Sequence, residues 1–116
     1  MGRKGSGSNP PAVDWLAQQG SLGLSAIVWL EVLEGAADRQ AEQAALRLLR
    51  RFERIEVVAQ DSEWAIRQLL RLHLSHGPDS MDCLIASANH RLDIPLYTRN
   101  LKHFTPLLGD LARKPY

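Results

Sequence analysis

Cysteine is almost missing from this chain, since Cys83 stands alone. An internal disulfide is therefore impossible, which fits a reducing compartment. Long apolar runs are missing too. The longest, Ala26 to Leu30, is far too short to span a bilayer, and the first residues carry no signal-peptide pattern. A cytoplasmic location with no membrane partner is expected. Neither sign of charge dominates. Fourteen basic residues stand against 13 acidic ones, for a formal net charge of +1, which neither demands nor excludes nucleic acid. No repeat is present, and no G-x-G-x-x-G, Walker loop, H-E-x-x-H or G-x-S-x-G. His73 and His76 lack the further ligands of a zinc site and read as partners for a helix end.

What remains is an ordinary globular composition. With 116 residues, 45% of them hydrophobic, the chain makes one domain with a real core. Residues 1–9, rich in glycine and serine, carry no apolar periodicity and should be mobile. The domain proper is expected over residues 10–116. A short helix opens at Pro10-Pro11 and ends at Gly20. Leu22 to Leu24 reads as a strand, followed by a helix from Ala26 to about Gly35 with Ser25 as N-cap. Asp38 to Phe52 is amphipathic, with Ala41, Ala44, Ala45, Leu48, Leu49 and Phe52 on one face. Arg47, Arg50, Arg51 and Arg54 complement its negative end. A phosphate contact is the sharper alternative for them. Ile55 to Val58 reads as a strand, and Asp61 as the cap of a helix running to Leu74. Pro78 stops that helix, and Asp79 caps the next, whose apolar face holds Met81, Leu84, Ile85, Ala88 and Leu92. Pro95 to Thr98 is a third strand, and Leu101 to Phe104 one turn of helix. This alternation predicts α/β architecture with a short parallel sheet.

Three acids and two polar residues stand out. Glu31 interrupts a helix that is apolar nearly all round, and a charge buried there is costly unless it is paired or binds a metal. Asp82 lies in the first turn of its helix, where the dipole favours a carboxylate. Asp79 has a sufficient role as a cap. Thr98 and Asn100 follow the third strand, at the strand end where open α/β sheets bind ligands. Taken singly, each is as well explained by a cap or a turn. Cys83, inside the apolar helix, reads as a small core residue and not as a nucleophile.

In combination these residues resemble a family. Leu24-Ser25-Ala26-Ile27 with Glu31 and Gly35, then Asp82-Cys83-Leu84-Ile85-Ala86, then Tyr97-Thr98-Arg99-Asn100 with Phe104, look like three successive motifs of PIN-domain nucleases. Asn9-Pro10-Pro11-Ala12-Val13 with Trp15-Leu16 is similar to the segment that VapC-like toxins of bacterial toxin–antitoxin pairs place after their first strand. The resemblance implies a three-layer α/β/α domain that hydrolyses RNA with magnesium or manganese (Mg2+ or Mn2+). By motif match, Glu31 and Asp82 are the metal carboxylates, and Asn100 completes the catalytic set. Ser25 and Thr98 orient the cluster from behind, and Asp79 is a weaker candidate. The implied partners are an RNA substrate, a cognate antitoxin and a second copy in a homodimer. The antitoxin would cover a groove between the helix starting at Ala26 and the arginine-ended helix after it.

One departure from the resemblance carries its own expectations. The family opens with a central strand ending in Asp, and nothing in residues 1–9 matches it. His103 stands where some relatives carry a further acid. A strand with three buried aliphatic side chains is worth ~5–9 kcal/mol, against ~5–15 kcal/mol for a whole domain. An N-terminally truncated chain is thus expected to be marginal in stability and impaired in cleavage. The alternative function is a catalytically inactive remnant that still binds an antitoxin or itself.

Overall fold

The computed structural model describes residues 22–75 and 77–115. Strand β1 (Gly23–Ser25) leads into α1 (Ala26–Glu34) and α2 (Arg39–Leu49), followed by β2 (Glu53–Ile55). Helix α3 (Ala59–Leu72) ends in a 3-10 turn, His73–Ser75. Then come α4 (Ser80–Leu92), β3 (Leu96–Tyr97), α5 (Leu101–Leu108), a second 3-10 turn, Gly109–Leu111, and β4 (Ala112–Arg113). The architecture is the α/β type expected, with helices packed about short parallel strands. The short helix expected from Pro10, the mobile segment 1–9 and the expected lack of a strand and acid ahead of it all lie outside the described residues.

The strands form two parallel pairs. Gly23, Leu24 and Ser25 of β1 face Glu53, Arg54 and Ile55 of β2. Leu96 and Tyr97 of β3 face Ala112 and Arg113 of β4. Among the described residues, the two pairs are not joined by backbone hydrogen bonds. Parallel neighbours need a helical crossover. Helices α1 and α2 make the first crossover and α5 the second. Gly23 permits the close approach of β1 to β2, because a Cβ there would lie 2.6 Å from Ile55 Cδ1. Strand β4 was not expected from the basic tail, since two residues define it only through their pairing with β3.

The core sits between α3, α4 and α5. Trp64, Ala65, Cys83, Ala86, Phe104, Leu107 and Leu108 are buried together, with Leu96 of β3 and Ala112 of β4 packed against them. Trp64 also stacks on His90, ring centroids 4.7 Å apart. On α4 the buried residues are Cys83, Ala86, Ser87, Ala88 and Asn89. Met81 and Leu92, expected on the apolar face, are exposed instead. Small side chains let α4 approach α3 closely, so the buried stripe is rotated from the one marked by large residues. Asn89 is satisfied by donating to the carbonyls of Ile94 and Pro95. Helix α5 runs on past Pro106, beyond the single turn expected. Proline removes only its own N–H from the ladder, and burial of Leu107 and Leu108 offsets that loss.

An ion pair between a buried aspartate and a half-buried arginine ties α3 to α4. Asp61 is 1% exposed. Its oxygens accept from Arg91 Nε at 2.8 Å and Nη2 at 3.1 Å. Asp61 is not the N-cap expected. The helix starts two residues earlier, and the carboxylate accepts the Val58 N–H at 3.0 Å from inside the first turn. Burial pushes its pKa up. The Arg91 hydrogen bonds, the Val58 N–H and the Arg91 charge outweigh that, leaving it below its ordinary value.

Candidate active site

The site is assembled from two helix starts and one strand end. Ser25 ends β1 and caps α1, its Oγ accepting the Ile27 N–H at 3.1 Å. Asp79 caps α4, its Oδ1 accepting the Asp82 N–H at 2.9 Å. Asp82 reciprocates, its Oδ2 accepting the Asp79 N–H at 3.1 Å. This closed capping box satisfies two backbone donors and holds the Asp82 carboxylate in place at the helix start. Beyond β3, Thr98 donates its N–H to the Arg113 carbonyl at 2.9 Å. Its Oγ1 accepts the Asn100 N–H at 3.0 Å. Asn100 occupies the N-cap position of α5, with its carbonyl accepting from His103 and Phe104.

His103 joins these pieces. Its Nδ1 lies 3.0 Å from Asp82 Oδ2, linking the first turn of α5 to the first turn of α4. Asp82 and the Thr98–Asn100 segment are therefore neighbours through this histidine. Sequence reasoning marked His103 only as a departure from an acid. Its pairing with Asp82 depends on how α5 docks, and no spacing in the chain reveals that.

Glu31 is placed differently from expectation. Helix α1 buries no residue, and Glu31 is exposed, as are Leu30 and Val32. Its carboxylate therefore does not carry the desolvation cost expected from the apolar run around it. Glu31 lines a cavity of about 470 Å³ with Ile27, Leu30, Leu33, Glu34 and Met81. Since Met81 precedes Asp82, Glu31 and the start of α4 border one space. This cavity lies between α1 and α4.

Cys83 faces away from this chemistry. It is 1% exposed in the core. Burial raises its thiol pKa, and the nearby charges of Asp82 and Asp79 raise it further. A thiol so held is protonated and inert. His73 is the helix-end partner expected, with Nδ1 2.9 Å from the Leu69 carbonyl. His76 lies outside the described residues.

The PIN-domain family model matches residues 5–104. This chain belongs to the PIN-domain family. The match covers the β1–α1 junction, the start of α4 and the end of β3, the three places that carry the candidate residues. Among solved structures, the PIN domain is similar to a chain of a toxin–antitoxin complex from Klebsiella pneumoniae. The TM-score is 0.76 at 24% identity, over 94% of this chain and 87% of that one. At that identity the likeness establishes the shared fold. Comparison with curated proteins gives no match.

The donors suit a hard divalent cation in kind, being carboxylate oxygens. They do not suit it in number. Among the described residues, no three His, Cys, Asp or Glu side chains converge as a metal site. Asp82 Oδ2 already accepts from the Asp79 N–H and meets His103. The described part of the PIN domain thus presents a carboxylate–imidazole pair beside an acid-rimmed apolar cavity.

Proposed function

We propose that this PIN domain, folded over residues 10–116, is an endoribonuclease of the VapC toxin type. It acts in the cytoplasm on RNA phosphodiesters and is restrained by an antitoxin. The observation that carries the reading is the family match over residues 5–104. The fold shared with a member of a toxin–antitoxin complex supports it. Glu31, Asp82 and Asn100 are the proposed catalytic set, with Glu31 and Asp82 as candidate ligands for Mg2+ or Mn2+. Ser25 and Thr98 hold the backbone behind them, and the capping role of Asp79 leaves it secondary. Because the described donors do not complete a metal site, no step is routed through a metal. The groups present can orient a phosphodiester and hold a proton at His103 Nδ1 or Asp82 Oδ2.

An antitoxin partner fits the cavity between α1 and α4. Its walls are Ile27, Leu30, Leu33 and Met81, and its acids are Glu31 and Glu34. An apolar segment bearing one basic side chain would complement both. Self-association into a homodimer belongs to the same reading.

The test is RNA cleavage by the full chain with added magnesium or manganese, with a chelator, and with Asp82→Asn. Asparagine keeps an acceptor for the Asp79 N–H, so the fold should persist. Metal-dependent cleavage that collapses in the variant is the expected result, and unchanged cleavage removes Asp82 from the mechanism. The second reading, an inactive remnant that still binds antitoxin, is favoured by the tying of Asp82 Oδ2 to two neighbours. It requires antitoxin binding with no cleavage under any metal.

A further inference from the structure

Helix α2 ends in arginines that the candidate active site does not use. Arg47 lies in the last turn, Arg50 is the C-cap, and Arg51 follows, its N–H donating to the Leu48 carbonyl. Arg50 keeps helical dihedrals, so the three fall at i, i+3 and i+4 and share one side of the helix end. Leu49, on the opposite side, is buried. All three arginines are exposed. Arg39, Arg54, Arg67 and Arg91 each pair with a carboxylate, and Arg71 and Arg113 donate to backbone carbonyls. Arg47, Arg50 and Arg51, in contrast, make no side-chain hydrogen bond or ion pair among the described residues. The helix dipole favours a cation here, but like charges three and four residues apart repel by a similar amount. Setting three on one side therefore gains the fold nothing.

We propose that Arg47, Arg50 and Arg51 form a phosphate-binding surface that holds RNA away from the candidate active site. The parallel register fixes the separation. Glu53, just after the three arginines, faces Gly23 at the start of β1, whereas Ser25 ends β1 beside the site. The arginines therefore lie at the end of the β1–β2 pair opposite the site. A guanidinium presents a planar fork of donors that matches phosphate oxygens in pairs. Contacts of this kind carry no sequence information, so the surface supplies affinity and orientation, not choice of base. A polyanion suits it better than a protein, whose interface needs an apolar centre. Leu48 is the one large apolar side chain that α2 exposes. Arg54 stands apart from the three, tied to Glu56 at 2.6 Å and lying over the Trp29 ring. The inference rests on the nuclease reading for the choice of RNA, but its test needs no cleavage.

Fluorescence anisotropy of a labelled oligouridylate, titrated with the full chain in EDTA over a range of salt, tests it. The chelator keeps binding separate from metal-dependent cleavage. The wild-type chain should bind, with an affinity that falls as salt rises. Arg47→Gln, Arg50→Gln and Arg51→Gln together should flatten the logarithmic salt dependence by about 2, since each phosphate contact contributes about 0.7. At moderate salt that is roughly a hundredfold in Kd. Each single substitution should flatten it by about 0.7, so the singles decide the matter if the triple variant folds poorly. Arg39→Gln and Arg67→Gln, at arginines already paired with Glu42 and Glu63, should leave the slope unchanged. A wild-type chain that does not bind the oligouridylate overturns the proposal, as does binding indifferent to the three arginines. Equally tight binding of labelled polyglutamate, lost in the same variants, overturns it too, by assigning the surface to an acidic protein.

Discussion

Among the described residues, the region formed by α3, α4, α5, β3 and β4 closes around a core, whereas the region formed by β1, β2, α1 and α2 does not. In the first, Trp64, Cys83, Ala86, Phe104, Leu107 and Leu108 are all buried. In the second, α1 buries nothing although most of its residues are apolar, and α2 buries only Leu49. Leu30, Val32 and Leu48 stand in solvent there. The difference teaches that apolar sequence alone does not mark a core. A helix becomes a core element only when another element covers it, and α1 instead borders the cavity that holds Glu31. The candidate site lies on the seam between the regions, with Ser25 and Glu31 from the open one and Asp82, Thr98, Asn100 and His103 from the closed one.

The largest expected effect breaks the comparison directly. Phe104→Ala removes a 7% exposed ring from the core and should cost about 3–5 kcal/mol. Leu48→Ala, at a residue 53% exposed, should cost no more than about 0.5 kcal/mol. Denaturant melts of the two variants measure the contrast. Equal losses would mean that the open region is as closely packed as the other.

Next in size is the Asp61–Arg91 pair of the closed region. Asp61→Ala removes the carboxylate that Arg91 grips and the acceptor of the Val58 N–H, and should destabilise by about 2 kcal/mol. The pH dependence follows from the same contact. Because the folded pKa of Asp61 lies below its ordinary value of 3.8, the folded state takes up the proton less readily than the unfolded state. The stabilisation is therefore complete above the unfolded value and is lost as pH falls through the folded one. Acid titration of stability should show this loss in the wild-type chain and much less of it in Asp61→Asn.

The smallest effect sharpens the comparison at the two helix starts. Asp79→Ala removes the cap of α4 and opens its capping box, at a cost of about 1 kcal/mol. Ser25→Ala removes the corresponding cap of α1. Amide exchange should show the Asp79 change felt through α4 and its packing, and the Ser25 change confined to α1. Fraying that spreads equally from both would show one cooperative unit where two are expected.

Much of the fold was legible in the chain because its signals are local. Asp79 caps α4 as its position announces. The strands at Gly23–Ser25 and Leu96–Tyr97 follow from short apolar runs between helix signals. The positions of Ser25, Asp82, Thr98 and Asn100 at element ends were marked by punctuation residues, whereas Glu31 lies inside α1. Strand β4, the second half of α5 and the true buried face of α4 were not legible. Each depends on a partner distant in sequence: β4 on the β3 backbone, Leu107 and Leu108 on the core, and Ala86 and Ser87 on the close approach of α3.

The sequence by itself therefore determined the order of elements up to β4, the caps at Ser25 and Asp79 and the family to which the chain belongs, because dihedral preference, capping and spacing act within a few residues. Tertiary structure alone decided that Asp61 would be buried on Arg91, 30 residues away, that His103 would meet Asp82, and that the apolar helix α1 would bury no residue fully. Burial and ion pairing act between elements, and a chain written in one dimension carries no record of which faces will meet.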